Sequence, residues 1–229
     1  MANPRMVRRP APHRPGNSDF GINPTIQQKI IQMAKSKYGL DPSTMQGAAF
    51  TIFDTVALAT STNRQTYEFF SAAQGKSLNF SNLVNGTLQA GEFIGVEYLY
   101  VAIITTSNSA ALNLDTTSIS AVQPLMVNPA LLTATANLTI ANQTWIKNQP
   151  LIESHPSFNM DSTGMASIDT TAGVTQTLWG VSRIRLKANP VIPPNMAFKL
   201  SIGVGPLTAV ANTCLWVGLG NTGSIFAPK

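Results

Sequence analysis

The apolar positions of this chain change their period once, near residue 45. Between Pro24 and Tyr38 they recur with helical spacing: Ile26, Ile30, Met33, Ala34 and Tyr38 fall on one broad face, with Ile31 at its edge. Asn23 is a suitable N-cap, Pro24 suits the first helical position, and Gly39 supplies a C-cap. Lys35 and Lys37 in the last turn complement the helix dipole, and Pro42 stops any continuation. From residue 46 onward the pattern is β. It predicts eight principal strands: Ala48–Leu58, Thr66–Phe70, Glu92–Thr105, Leu131–Ile140, Thr144–Lys147, Gln176–Lys187, Ala197–Val204 and Thr213–Leu219. Alternation is cleanest from Trp179 to Lys187, where Arg183, Arg185 and Lys187 share one face and Ile184 and Leu186 the other.

Turn chemistry separates these runs. Thr60-Ser61-Thr62-Asn63 and Ala141-Asn142-Gln143 read as tight hairpin links, and long connections lie near 71–91, 106–130 and 148–175. Gln65-Thr66-Tyr67 returns as Gln143-Thr144-Trp145, and Leu88–Phe93 is echoed by Ile192–Phe198, at unequal spacings. Three segments follow: a basic arm over 1–22, expected to be mobile, an amphipathic helix over 23–39, and a β-domain over 46–229.

Charge sharpens the division. Residues 1–40 hold Arg5, Arg8, Arg9, Arg14, Lys29, Lys35 and Lys37 against Asp19 alone, a net of +6. The other 189 residues carry eight basic and nine acidic groups, and the whole chain nets +5. Only 11% of the residues are charged, against the usual quarter or so, so the surface is expected to lie largely against neighbours. Cys214 is the only cysteine, so no disulfide forms within the chain. No secretory leader is legible, and the longest apolar run, Tyr98 to Ile104, is too short to span a bilayer, so synthesis in a cytoplasm is expected.

Candidate chemistry is sparse. Gly218-Leu219-Gly220-Asn221-Thr222-Gly223 spells a dinucleotide fingerprint but has no room to open a helix, so the glycines are read as ending the last strand. His13 and His155 have no partner at metal-ligand spacing, and neither a cofactor nor a metal is expected. A triad of His155 with a serine and Asp161 or Asp169 lacks a nucleophile motif, so no enzyme is expected. Asp54 interrupts an apolar strand, either pairing with an arginine across the sheet or pointing outward. Arg5, Arg8, Arg9 and Arg14 can each neutralise a phosphate, giving sequence-blind contact with nucleic acid or lipid. The helix has two readings: Ile26, Ile30, Met33 and Tyr38 either dip into an anionic membrane surface edged by Lys29, Lys35 and Lys37, or pack beneath a β-body, the chain's own or a neighbour's.

In layout the chain resembles jelly-roll capsid proteins of small icosahedral, internally membraned phages, of the tectivirus and finnlakevirus kind. The resemblance rests on the arm and helix before the β-body, on Gln65–Phe70, Ser81-Asn82-Leu83 and Leu88–Phe93, on Val191-Ile192-Pro193-Pro194-Asn195 leading into Phe198-Lys199-Leu200, and on a terminal apolar strand ending at Gly218. It implies an all-β viral jelly-roll sandwich whose arm and helix face the interior membrane or genome. It also implies copies of itself and other virion proteins as partners, and residence in the virion. Eight strands suit one barrel; a minimal double barrel would split near 125–142. Two other functions stay open: a spike or vertex protein binding a host glycan through aromatics in 71–91 or 148–175, and a non-viral β-sandwich binding module.

Overall fold

Along the chain come helix α1 (Pro24–Tyr38), a 3-10 turn (Pro42–Thr44) and strands β1 (Met45–Ala48), β2 (Thr51–Ala57), β3 (Gln65–Phe69), β4 (Phe93–Gly95), β5 (Tyr98–Thr106) and β6 (Ile119–Gln123). Then follow the short helix α2 (Pro129–Leu132), β7 (Thr135–Ile140), β8 (Gln143–Pro150), a 3-10 turn (Leu151–Glu153) and strands β9 (His155–Ser157), β10 (Val181–Arg185), β11 (Val191–Ile192), β12 (Phe198–Val204), β13 (Thr213–Gly220) and β14 (Ile225–Pro228). The computed structural model describes residues 24–48, 51–71, 75–83, 86–123, 125, 128–153, 155–157, 181–186, 188–220 and 225–228.

The fold is an all-β sandwich with few helices. One sheet runs β2-β13-β5-β10-β9, with β6 also on β5; the other runs β3-β12-β7-β8. Every pairing is antiparallel. Period-two alternation sends Ala136, Leu138 and Ile140 of β7 and Phe198, Leu200 and Ile202 of β12 inward. They meet Leu99, Val101 and Ile103 of β5 and Leu215, Val217 and Leu219 of β13, so one hydrophobic core takes side chains from both sheets. A third sheet, β1-β14-β4-β11, carries α1.

The predicted Ala48–Leu58 is found as β2, and β1, which shares only Ala48 with it, precedes it in a different sheet. The predicted Glu92–Thr105 is divided into β4 and β5, in different sheets. This break has a visible cause. Val96 N–H donates to the Pro190 carbonyl (2.8 Å) and Glu97 N–H to that of Gly220 (3.0 Å), so the chain changes partners there. Leu131 belongs to α2, which Asn128 caps through its side chain and Pro129 opens, rather than to a strand. Thr60–Asn63 is no hairpin, because it links two sheets and Ser61 bridges to Leu207. Ala141-Asn142 is the tight turn expected, joining Ile140 to its partner Gln143. Gly218 and Gly220 lie within β13, and β14 follows them. Strands β6, β9, β11 and β14 were not expected.

Two buried groups give testable consequences. Thr55 is fully buried and its hydroxyl has no hydrogen-bond partner among the described residues. Thr55→Val keeps the shape and removes the unsatisfied group, so it is expected to stabilise the fold by about 1 kcal/mol in urea unfolding. Cys214 is fully buried, and burial pushes its thiol above the usual range, partly offset by the Thr106 hydroxyl 4.0 Å away. The native thiol is therefore expected to resist an aromatic disulfide reagent that the urea-unfolded chain consumes at once. The folded chain keeps this proton longer than the unfolded one. Its contribution to stability is thus complete at neutral pH and falls as pH rises past the ordinary thiol range, a decline that Cys214→Ala should lack.

Candidate functional site

The expected site residues belong to the arm and α1. Arg5, Arg8, Arg9 and Arg14 lie outside the described residues, as does the expected cap Asn23. Helix α1 ends at Gly39, whose φ of 64° is one that glycine adopts freely, and Leu40 N–H returns to the Ala34 carbonyl at 3.0 Å. Its apolar face rests on the third sheet. Ile26, Ile30 and Ala34 are fully buried with Met45, Phe93 and Val191, while Met33 and Leu40 flank them. The fit depends on Gly95 in β4, where a Cβ would overlap Ile26 Cγ2 and lie 3.5 Å from Ile30 Cδ1.

This corrects the membrane-facing reading of Ile26 and Ile30. Both are spent inside the chain's own body and have no surface left to offer a lipid. Tyr38 stands edge-on to Phe93, with centroids 5.3 Å apart, and keeps about a third of its surface exposed. No helix among the described residues is long and apolar enough to cross a membrane.

The lysines occupy the outer face of α1. Lys29 Nζ lies 3.4 Å from the carbonyls of Ala188 and Asn189, so it ties the helix to the β10–β11 link. Lys35 is exposed near Asp41, whose carboxyl is held below the usual range chiefly by the Ser43 side-chain and backbone hydrogen bonds, with Lys35 a lesser cause. Lys37 rims a cleft of about 350 Å³ that also involves Met33, Tyr38, Trp145, Pro193 and Met196.

The remaining candidates fall elsewhere. Asp54 pairs with Lys76 of the β3–β4 connection, not with an arginine across the sheet: Lys76 Nζ lies 2.6 Å from Oδ1, and both side chains are buried or nearly so. Asp54 Oδ2 accepts from Phe70 N–H at 2.8 Å, fixing the start of that connection. His155 lies on β9 opposite Arg183 in register, while Asp161, Asp169 and Lys187 fall outside the described residues. Among the described residues no three of His, Cys, Asp and Glu gather as metal ligands.

Arg183 and Arg185 do share an exposed strand face, as alternation implied, but sequence reasoning missed what lies beside them. In register, Arg183 faces Tyr100 and Arg185 faces Tyr98 of β5. The Arg183 guanidinium sits 4.8 Å from the centre of the Tyr98 ring. Arg185 reaches Glu97 Oε1 at 3.3 Å, with 69% of its own side chain exposed. Burial raises the Tyr100 hydroxyl pKa, and Arg183 partly offsets this, so the ring stays neutral near pH 7. The signal available was the pair of i, i+2 repeats, Tyr98/Tyr100 and Arg183/Arg185; their pairing across about eighty residues of sequence was not readable.

No family model matches this chain. Neither a curated protein nor a solved structure matches it.

Proposed function

We propose that this chain is a structural subunit of an icosahedral viral shell, built as a single jelly roll. The strand order carries the reading. Numbered one to eight along the chain, β2, β3, β5, β7, β8, β10, β12 and β13 run 1-8-3-6 in one sheet and 2-7-4-5 in the other. Two nested Greek keys give this order, an arrangement used by capsid and lectin domains. One core shared by both sheets favours one barrel over two.

The scarcity of charge adds support, since a tile buries its sides against symmetric neighbours. Copies of the chain and other virion proteins are the partners proposed. Arg5, Arg8, Arg9 and Arg14 would hold the shell to its contents, genome or internal membrane, through phosphates. In that role α1 is the fixed base from which the arm extends toward the interior. The spike reading loses ground at Phe80, an aromatic of 71–91 that is fully buried rather than presented. No catalytic step is proposed.

Comparing the full chain with one lacking residues 1–22, mixed with a DNA duplex or with anionic vesicles at low and high salt, tests the arm. The proposal expects the full chain to capture one of these contents in a salt-sensitive way and the shortened chain to lose it. Equal capture by both chains would contradict the assignment to the arm.

A further inference from the structure

The outer face of the β2-β13-β5-β10 sheet is half covered. Toward one end Phe80, Ile104, Leu112 and Cys214 pack together over it. Toward the other, register sets Arg183, Tyr100, Gly218 and Phe53 in one row across four strands, and Arg185, Tyr98, Gly220 and Thr51 in the next. The two glycines matter because they leave β13 without side chains in the middle of both rows. The Trp216 indole fills part of that gap. Its Cη2 would lie 2.8 Å from a Cβ at Gly218, and its ring stacks on Phe53 with centroids 5.9 Å apart and planes at 28°. The result is a shallow platform of four half-buried aromatic rings, Phe53, Trp216, Tyr98 and Tyr100, bordered by two exposed guanidinium groups.

We infer that this platform binds single-stranded nucleic acid, with Arg183 and Arg185 on phosphates and the tyrosine rings, Tyr100 foremost, stacked against bases. Chemistry selects this occupant. Flat rings on a sheet, interleaved with arginine, bind any base through its π-face, and arginine supplies planar donors for phosphate oxygens. A duplex hides its base faces and would leave the rings idle. A second copy of the chain is a poor match for the arginines. Its solvent-reaching carboxylates among the described residues, Asp41, Glu68, Glu92, Asp115 and Glu153, already accept hydrogen bonds from Ser43, Lys199, Gln89, Ser77 and Gln149 of their own chain. Among the described residues Glu97 is the one acid beside the platform; it is buried and engages Arg185, while Arg183 lies over the Tyr98 ring. The inference holds whether or not the chain builds a shell, and it differs from the arm in requiring stacking as well as charge.

The test is fluorescence anisotropy of a labelled oligo(dT) of about twelve nucleotides with the full chain, across a salt series. Substituting Arg183 and Arg185 together by alanine is expected to weaken binding about tenfold or more and to reduce the salt slope by about 1.4, two phosphates' worth on a single strand. Tyr100→Ala should weaken binding about fivefold or more, while Tyr100→Phe, which keeps the ring, should bind as the parent does. Thermal unfolding of each variant identifies any that has lost its fold. A variant with alanine at all four arm arginines should retain this stacking-dependent binding, though at reduced affinity. The inference is overturned if the platform variants bind like the parent, if the arm variant abolishes binding, or if an unlabelled duplex competes as well as the single strand. It is equally overturned if the platform variants change only the sedimentation coefficient, because the face would then belong to a second copy.

Discussion

Asp54→Ala is expected to cost about 3–5 kcal/mol of folding stability, read as a lower urea midpoint at neutral pH. The carboxylate is buried at 2% exposure and accepts three hydrogen bonds: from Lys76 Nζ at 2.6 Å and from the backbone N–H groups of Thr55 and Phe70 at 2.8 Å each. Removing it strands an ammonium and two N–H donors in a place that water scarcely reaches. It also frees Phe70, which is held at φ 60° with its ring 5.4 Å from that of Phe198, so the seam between β3 and β12 loosens with it. A double variant, Asp54→Leu with Lys76→Met, removes both charges and should recover a large part of the loss. A single variant within about 1 kcal/mol of the parent would show that the pair is not the anchor described.

Gly95→Ala comes second, with an expected loss of about 1–3 kcal/mol from overpacking. The added methyl meets Ile26 Cγ2 on a helix whose buried face has no slack, so α1 must lift or the sheet must bend. The diagnostic is a double-mutant cycle. In an Ile26→Ala background the same change should cost almost nothing, because the opposing methyl is gone. Equal costs in both backgrounds, or no cost in either, would mean that α1 does not rest on β4. That distinction bears on function, because a helix held by its own sheet presents Lys29, Lys35 and Lys37 outward and withholds Ile26 and Ile30 from any membrane.

How much of this was readable in advance depended on whether the information was local. Helix α1 was legible almost to the residue, since its Gly39 C-cap and 3.6-residue spacing lie within one stretch of chain. The strands with plain alternation, β10 and β12, were legible for the same reason. What failed was partner choice. Glu92–Thr105 looks like one apolar strand, and nothing within it says that β4 belongs with β11 while β5 belongs with β13. The short strands β11 and β14 exist because a neighbour supplies their hydrogen bonds, not because their composition demands them. The Asp54–Lys76 pair and the aromatic–arginine rows share this character. Each residue was visible, but the contact depends on register and loop return.

The central claim, a subunit that tiles a closed shell, is tested most directly by electron microscopy of the purified full chain over a rising concentration series, with sedimentation velocity on the same samples. Regular capsomers or closed icosahedral particles that grow in share as concentration rises are the expected result. A chain that sediments as a monomer at every concentration, with no regular particle in any field, would contradict it.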